Sequence, residues 1–310
     1  MLNYRVMFFK FLKMHGAGND FVVLDAFANP LPSQTNFADL AIQMCARHFG
    51  VGGDGLLLLE PSDCADARMR MWNPDGTEDM CGNGLRCVAW LFHQRGYTSK
   101  STFTVETLAG LRQAAMLKDH TMQVEMGNAI WKLHDIPMIL DKSTFGNNDE
   151  AVEYQLPVQN EVIPHVTSLS TGTTHTVIFV DELPEEKYFQ ELSPTIENHP
   201  WFPERTSLLW TKVLSSDQLQ VQIWERGAGE TFACGTGACA VAAAAWRTQR
   251  SDAGEIKVQS KGGLLRVTQN KNGEIMLAGK VQLVFEGKIS FNEVISNDKI
   301  TNKLRSVLPD

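Results

Sequence analysis

Short apolar runs and two longer periodic stretches set out the elements of this chain. Phe21 to Asp25 and Gly55 to Leu59 are continuous apolar runs of the length expected for strands buried on both faces. Met69 to Trp72 predicts a further strand, and Thr102 to Glu106, Leu111 to Leu117 and Met122 to Met126 predict three alternating ones. Between them a helix is predicted from Phe37 to Phe49, capped by Asn36 and stopped by Gly50. Asn73-Pro74-Asp75-Gly76 has turn chemistry, and a second helix is predicted from Cys81 to about Gln94, with Gly96 beyond it.

A polar stretch from Asp141 to Glu150, containing Gly146-Asn147-Asn148-Asp149, predicts the junction between two lobes. The second half repeats the order. Its first helix is predicted to be short and to start at Ser193-Pro194, an N-cap followed by proline in the first turn. Its second, Gly235 to about Thr248, is small and apolar all round, which predicts a buried helix with sheet wrapped around it. Ser290 to Asp310 is polar, without strong periodicity, and reads as an appended tail.

The halves are related by more than element order. Cys81-Gly82-Asn83-Gly84 and Cys234-Gly235-Thr236-Gly237 share a pattern, and Val88-Ala89 and Val241-Ala242 follow in the same register. Upstream, Gly76 matches Gly229 and Asn73 matches Arg226. Phe21 to Asp25 aligns with Val177 to Asp181, Asn19 with His175, and Gly55 with Ser207. An internal duplication of this size predicts two similar lobes facing each other.

Composition removes several classes of function. With 43% hydrophobic and 21% charged residues the chain reads as a globular protein rather than a disordered one. A net charge of −8 without a basic stripe argues against nucleic acid. No apolar run is long enough to suggest a membrane-spanning helix. The amino-terminal residues break before a signal-peptide core forms, so the cytoplasm is the expected compartment. Six cysteines (45, 64, 81, 87, 234 and 239) are too dilute for a disulfide scaffold and lack zinc-type spacing, so no metal site is expected. They read as reduced thiols, with Cys87 and Cys239 as small buried helix residues.

A cysteine at a helix N-terminus meets unpaired N–H groups and a partial positive charge. Its thiolate is thereby stabilised, with a pKa brought from ~8.5 into the range of roughly 3.5 to 7.5. The same N–H groups bind an anion, and glycines let a carboxylate approach closely. Two such ends predict a clamped carboxylate with a thiol on each side of the adjoining carbon. That arrangement suits inversion of an amino-acid α-carbon, one sulfur taking a proton and the other giving one, without a pyridoxal cofactor. Neither tract has the lysine of a P-loop or dinucleotide-binding spacing. His175 and His15 read as structural on residue type alone.

At these residues the chain resembles the diaminopimelate epimerase family. The likeness rests on Met14-His15-Gly16-Ala17-Gly18-Asn19-Asp20-Phe21, Arg47-His48-Phe49-Gly50-Val51-Gly52-Gly53-Asp54-Gly55, Asn73-Pro74-Asp75-Gly76 leading into Met80 to Cys87, and Glu225-Arg226-Gly227-Ala228-Gly229-Glu230-Thr231 leading into Ala233 to Cys239. It spans about residues 11 to 289. The resemblance implies an α+β fold of two pseudo-symmetric lobes, each a curled, mostly antiparallel, barrel-like sheet around a central helix. Residues 1–140 would form the first lobe, with 276–289 able to cross over to it; 141–289 would form the second, and 290–310 the tail.

The resemblance also implies that Cys81 and Cys234 are the catalytic pair. Gly82-Asn83 and Gly235-Thr236 would hold the reacting carboxylate, and Asn19, Asn73, Glu225 and Arg226 would contact substrate, with His175 at the family's Asn-Pro-His motif. Two positions depart from the family: Thr173-Thr174 replaces Asn-Pro, and Arg205-Thr206-Ser207 replaces Arg-Thr-Asn. Thr173 and Ser207 thus fall where the unreactive end of diaminopimelate would bind. The expected activity is cofactor-independent epimerisation of LL-diaminopimelate to its meso form, with a small amino acid as the partner and a homodimer compatible with it. The alternatives are a lysine or histidine racemase with the same machinery, a two-cysteine redox protein, or a non-catalytic amino-acid binder. The duplicated anion sites favour epimerisation over redox exchange.

Overall fold

The duplication in the sequence is a duplication of strand pairings. The computed structural model describes residues 3–139, 149–158 and 161–295. The fold is α+β, with eighteen strands and four helices among the described residues. Two compact units divide the chain, Met1–Met122 with Lys280–Asp310, and Gln123–Gly279.

The first unit runs β1 (Asn3–Gly16), β2 (Asn19–Asp25), α1 (Phe37–Cys45), β3 (Gly55–Glu60), β4 (Ala67–Trp72), β5 (Glu78–Asp79), α2 (Gly82–Gln94), β6 (Thr102–Thr107) and β7 (Gly110–Met116). β8 (Met122–Gly127) leads into the second unit. There follow β9 (Tyr154–Val158), β10 (Glu161–Ser170), β11 (Thr174–Val180), α3 (Glu186–Glu197), β12 (Ser207–Ser215), β13 (Gln218–Glu225), β14 (Gly229–Thr231), α4 (Gly235–Arg247), β15 (Glu255–Ser260), β16 (Gly263–Gln269) and β17 (Ile275–Gly279). β18 (Val281–Ile295) returns to the first unit.

In the first unit β1 pairs antiparallel with β2, β2 parallel with β3, β3 antiparallel with β4, β4 parallel with β6, and β6 antiparallel with β7. In the second, β10 to β16 repeat each of these relations in the same sense. β18 flanks β1 from Asn3 opposite Ile295 to Gly16 opposite Val281, and β9 flanks β10. Residues 3–10 and 290–295 are therefore ladder residues. The rest of the expected tail, 296–310, and most of the expected junction, 141–148, lie outside the described residues.

Each unit closes around its second helix. α4 touches β10, β11, β12, β15, β16 and β17, and α2 touches β1, β2, β3, β4, β7 and β18. The alanines of α4 make this possible, because Ala240, Ala242, Ala244 and Ala245 are fully buried while needing little room and losing no side-chain entropy. Two glycines let a strand reach the helix itself. A methyl group on Gly84 would lie 2.8 Å from Leu57 Cδ2, and one on Gly237 would lie 2.9 Å from Leu209 Cδ2.

That paired packing fixes the internal alignment. Leu57 pairs with Val23 and Leu209 with Val177, so Val23 corresponds to Val177 and Asn19 to Thr173. The sequence alignment, which matches Phe21 with Val177 and Asn19 with His175, is displaced along this strand. Likewise Trp72 pairs with Leu56 and Trp224 with Leu208, which makes Asn73 the counterpart of Glu225 rather than Arg226. The apolar runs slide on each other without penalty in sequence, and only the ladder fixes them.

Two helix boundaries differ from expectation. α1 begins as predicted, with Asn36 Oδ1 accepting from Ala38 N at 3.2 Å, but it ends at Cys45 rather than Phe49. The chain folds back over its last turn, where Val51 and Gly52 N–H each donate to Met44 O at 2.9 Å. Gly50 serves that return, since a methyl there would lie 2.1 Å from the Gln43 carbonyl oxygen. α3 starts at Glu186, and Ser193-Pro194 lies inside it instead of at its start. Ser193 is fully buried with its Oγ accepting from Trp210 Nε1 at 3.2 Å, while Phe189, Leu192 and Ile196 pack into the core. Tertiary packing outweighs the local signal of a Ser-Pro pair.

Candidate active site

Cys81 and Cys234 are the N-cap residues of α2 and α4. Both have extended backbones, φ −136° and ψ 124° for Cys81 and φ −123° and ψ 119° for Cys234. Each sulfur therefore stands at the exposed N–H end of a buried helix, and Gly82, Asn83 and Gly235 line the first turns as buried residues. The two sulfurs are differently held. Cys234 Sγ accepts from Gly237 N at 3.3 Å and lies 3.3 Å from Thr236 Oγ1. Cys81 makes no side-chain cap hydrogen bond, and its thiol instead donates to Asn19 Oδ1 at 3.6 Å.

Asn19 joins several groups in the first unit. Its Oδ1 also accepts from Asn83 Nδ2 at 3.2 Å, and its Nδ2 donates to Asp54 Oδ2 at 2.7 Å. Asp54 in turn is bound by the Asp20 backbone N–H at 3.0 Å and by Arg47 NH2 at 2.7 Å. Arg47 and Lys13 both bind Asp20. Burial would raise the Asp20 carboxyl, but its bonds to Arg47 and Lys13 outweigh that and hold it below the usual carboxylate range. Asn73 sits apart from this group in its turn, donating to Thr77 Oγ1 at 3.0 Å.

In the second unit the expected residues form three contacts. Thr173 Oγ1 lies 3.2 Å from His175 Nε2, Ser207 Oγ accepts from Arg226 N at 3.1 Å, and Thr231 donates to the Glu225 carboxylate near Cys234. His175 is fully buried, and its Nδ1 has no hydrogen-bond partner among the described residues. Burial and then the Arg226 charge push its pKa down to about 3, so the ring is neutral at ordinary pH. It is a packed, uncharged partner for Thr173.

The thiol reading changes for Cys234. A helix N-terminus predicts a lowered pKa, yet burial, followed by the Glu225 carboxylate, pushes this thiol well above its ordinary value. Bonds from Thr236 and Gly237 act the other way and do not prevail. Among the other cysteines, burial pushes Cys45 and Cys87 up to about 12, which leaves them as unreactive thiols. Among the described residues no group of histidine, cysteine and carboxylate side chains could hold a metal ion, and no helix is long and apolar enough to cross a membrane.

Three further residues shape the site. Arg86 is fully buried on α2 and donates from NH2 to Asn83 Oδ1 at 2.8 Å. Thr171 Oγ1 donates to the Thr236 carbonyl at 2.9 Å, fixing the first turn of α4. Glu197, buried on α3, accepts from Gly227 N at 2.8 Å, Arg205 NH1 at 3.1 Å and Trp224 Nε1 at 2.7 Å, and so anchors the turn carrying Glu225 and Arg226. Their roles depend on partners distant in sequence. Only Arg86, lying in the cysteine motif itself, had a local signal.

Comparison with known proteins finds relatives over most of the chain. The family model for diaminopimelate epimerase matches residues 11–132 and 167–284. A diaminopimelate epimerase of Heliobacterium modesticaldum is 39% identical over 287 residues, covering 90% of this chain and 99% of that protein. One from Desulforudis audaxviator is 41% identical over 290 residues, covering 90% and 98%. Among solved structures, a hydroxyproline epimerase from Agrobacterium vitis with bound trans-4-hydroxy-L-proline superposes with a TM-score of 0.62 at 16% identity, covering 92% of each chain. A Bacillus anthracis phenazine biosynthesis protein of the PhzF family gives 0.62 at 18% identity, covering 91% of this chain and 99% of that one. At those identities the structural likeness is one of fold.

Proposed function

The chain belongs to the diaminopimelate epimerase family, and from that premise we propose that it converts LL-diaminopimelate to the meso isomer by two-base proton transfer at one α-carbon. The observation that carries the mechanism is the same device built twice, a cysteine capping a buried helix behind a glycine that admits a leucine. In this reading a thiolate on one cysteine removes the α-proton, and the thiol of the other gives its proton to the carbanion from the opposite face. One proton is taken and one returned. For the reverse reaction the roles exchange.

The α-proton of an amino acid is weakly acidic, so the developing negative charge needs stabilisation. Backbone N–H groups at Gly82-Asn83 and Gly235-Thr236 would hold the reacting carboxylate, where preorganised donors act without reorganisation. Cys234, whose thiol is held protonated by burial and Glu225, is suited to begin as the proton donor. Asn19, Asn73, Glu225 and Arg226, with Thr173, His175 and Ser207, would recognise the amino groups and the distal end of the substrate. The reading takes the compartment to be the cytoplasm, because the chemistry requires both thiols reduced.

The test is direct turnover. Purified enzyme with LL-diaminopimelate, in reductant but without pyridoxal phosphate or metal, should form the meso isomer, resolved by chiral chromatography. Formation of D-lysine or D-histidine from the L-amino acids, with diaminopimelate untouched, would replace this substrate assignment.

A further inference from the structure

Two amides and two ions form one chain of hydrogen bonds behind Cys81. Asp54 Oδ2 accepts from Asn19 Nδ2 at 2.7 Å, Asn19 Oδ1 accepts from Asn83 Nδ2 at 3.2 Å, and Asn83 Oδ1 accepts from Arg86 NH2 at 2.8 Å. An amide can be turned end for end with almost no change of shape, exchanging its donor for its acceptor. The ends of this chain cannot be turned, because an ionised carboxylate only accepts and a guanidinium only donates. Asp54 therefore forces Asn19 to present oxygen away from it, and Arg86 forces Asn83 to present its NH2 group toward Asn19. Both constraints agree on one direction.

The direction matters at sulfur. Asn19 Oδ1 is the atom that receives the Cys81 thiol at 3.6 Å. With the amide turned, an N–H would face the sulfur instead and favour the thiolate, whereas the oxygen favours the thiol, the form in which Cys81 gives its proton in the reverse, meso-to-LL direction. The geometry points to Asp54 and Arg86 as a pair of positioning residues that lock the amide polarity of Asn19 and Asn83, and so hold an acceptor rather than a donor against Cys81. Packing supports the same direction. Arg86 is fully buried beneath Gly16, where a methyl would lie 2.8 Å from its NH2, and Asp54 is itself held by Arg47 and the Asp20 N–H. The inference rests on the reading of Cys81 as a proton-transfer residue, but its test does not require turnover.

The charged groups around this chain are Asp20, Lys13 and Arg47 beside Asp54, with Arg86 at the far end. The experiment is the pH profile of Cys81 alkylation by iodoacetamide in the full chain, read by peptide mass mapping. Asp54→Asn keeps the shape but can accept or donate, so one of the two constraints on Asn19 is removed, the turned amide gains population and the alkylation midpoint should fall by up to about one pH unit. The fall should persist near 1 M salt, where the screening length is ~3 Å, because it arises from a contact. Adding Arg86→Gln should lower it further, whereas loss of a cation by itself would raise it. A midpoint that does not move in Asp54→Asn, that returns to the wild-type value in salt, or that stays or rises on adding Arg86→Gln overturns the proposal. Should the double variant fail to fold, the salt comparison on Asp54→Asn decides. The expected shifts in a protein without epimerase turnover would sink the functional reading and leave this inference standing.

Discussion

Gly237 donates its backbone N–H to Cys234 Sγ at 3.3 Å, yet the thiol of Cys234 is held protonated. Helix-end stabilisation is outweighed by burial and by the Glu225 carboxylate, which both disfavour a second negative charge. The prediction is that Glu225→Gln lowers the pKa of Cys234. Its alkylation by iodoacetamide at about pH 8 should then quicken several-fold, read by peptide mass mapping. Equal rates in the two proteins would remove Glu225 from the account of this thiol.

The glycines after the cysteines are predicted to be intolerant for a steric reason. In Gly84→Ala the new methyl would meet Leu57 Cδ2 at 2.8 Å, and in Gly237→Ala it would meet Leu209 Cδ2 at 2.9 Å. Overpacking of this kind costs about 1 to 3 kcal/mol. Urea unfolding should show that loss in each variant, whereas Gly254→Ala, where nothing lies within 4 Å, should be nearly neutral. Equal stability in all three would refute the close approach of strand to helix.

Those helices and their cysteines were legible in the sequence because cap, glycine and buried helix lie in one contiguous motif. α2 was predicted over its observed span for that reason. The pairing of β1 with β18 was not legible, since Asn3 meets Ile295 and no local pattern joins the two ends of the chain. Nor was the end of α1, which is decided by Val51 and Gly52 returning to Met44. Among candidate site residues the sequence carried Asn19 and Asn83 but not the polarity imposed on them by Asp54, because a hydrogen-bond direction is a property of neighbours. Glu197 was missed on the same ground: a carboxylate on an otherwise ordinary helix shows its role only where Arg205, Trp224 and Gly227 converge on it.

His175 makes stability depend on pH. Its folded pKa of about 3 lies below its ordinary 6.5, so the unfolded chain binds the proton more tightly. The stabilisation is therefore complete above about 6.5 and is lost as the pH falls toward about 3. At about 1.4 kcal/mol per unit, the full effect reaches a few kcal/mol. Urea midpoints measured between pH 7 and pH 4.5 should fall more steeply in the wild type than in His175→Gln. Parallel slopes would show that His175 is not the group responsible.

Specificity is predicted to lie at Thr173 and Ser207, whose hydroxyls are engaged with His175 and with the Arg226 backbone. A polar group on the distal end of the substrate that is left unpaired costs about 1 to 3 kcal/mol. The double change Thr173→Asn and Ser207→Asn supplies longer amides with both donor and acceptor. It should raise kcat/KM for diaminopimelate relative to lysine and histidine by roughly tenfold or more. Unchanged relative rates in the folded double variant would take these positions out of recognition.

The central claim is that two different sulfurs serve the two faces of one carbon, and the fate of the α-hydrogen tests it most directly. Enzyme and LL-diaminopimelate are mixed in D2O without pyridoxal phosphate, and both isomers are separated and weighed by mass spectrometry during the first few per cent of reaction. The account predicts one solvent deuterium in the newly formed meso product while the remaining substrate is still unlabelled, and no product from Cys81→Ala or Cys234→Ala. Early product that retains the substrate's own hydrogen, or substrate that gains deuterium before product does, would contradict it.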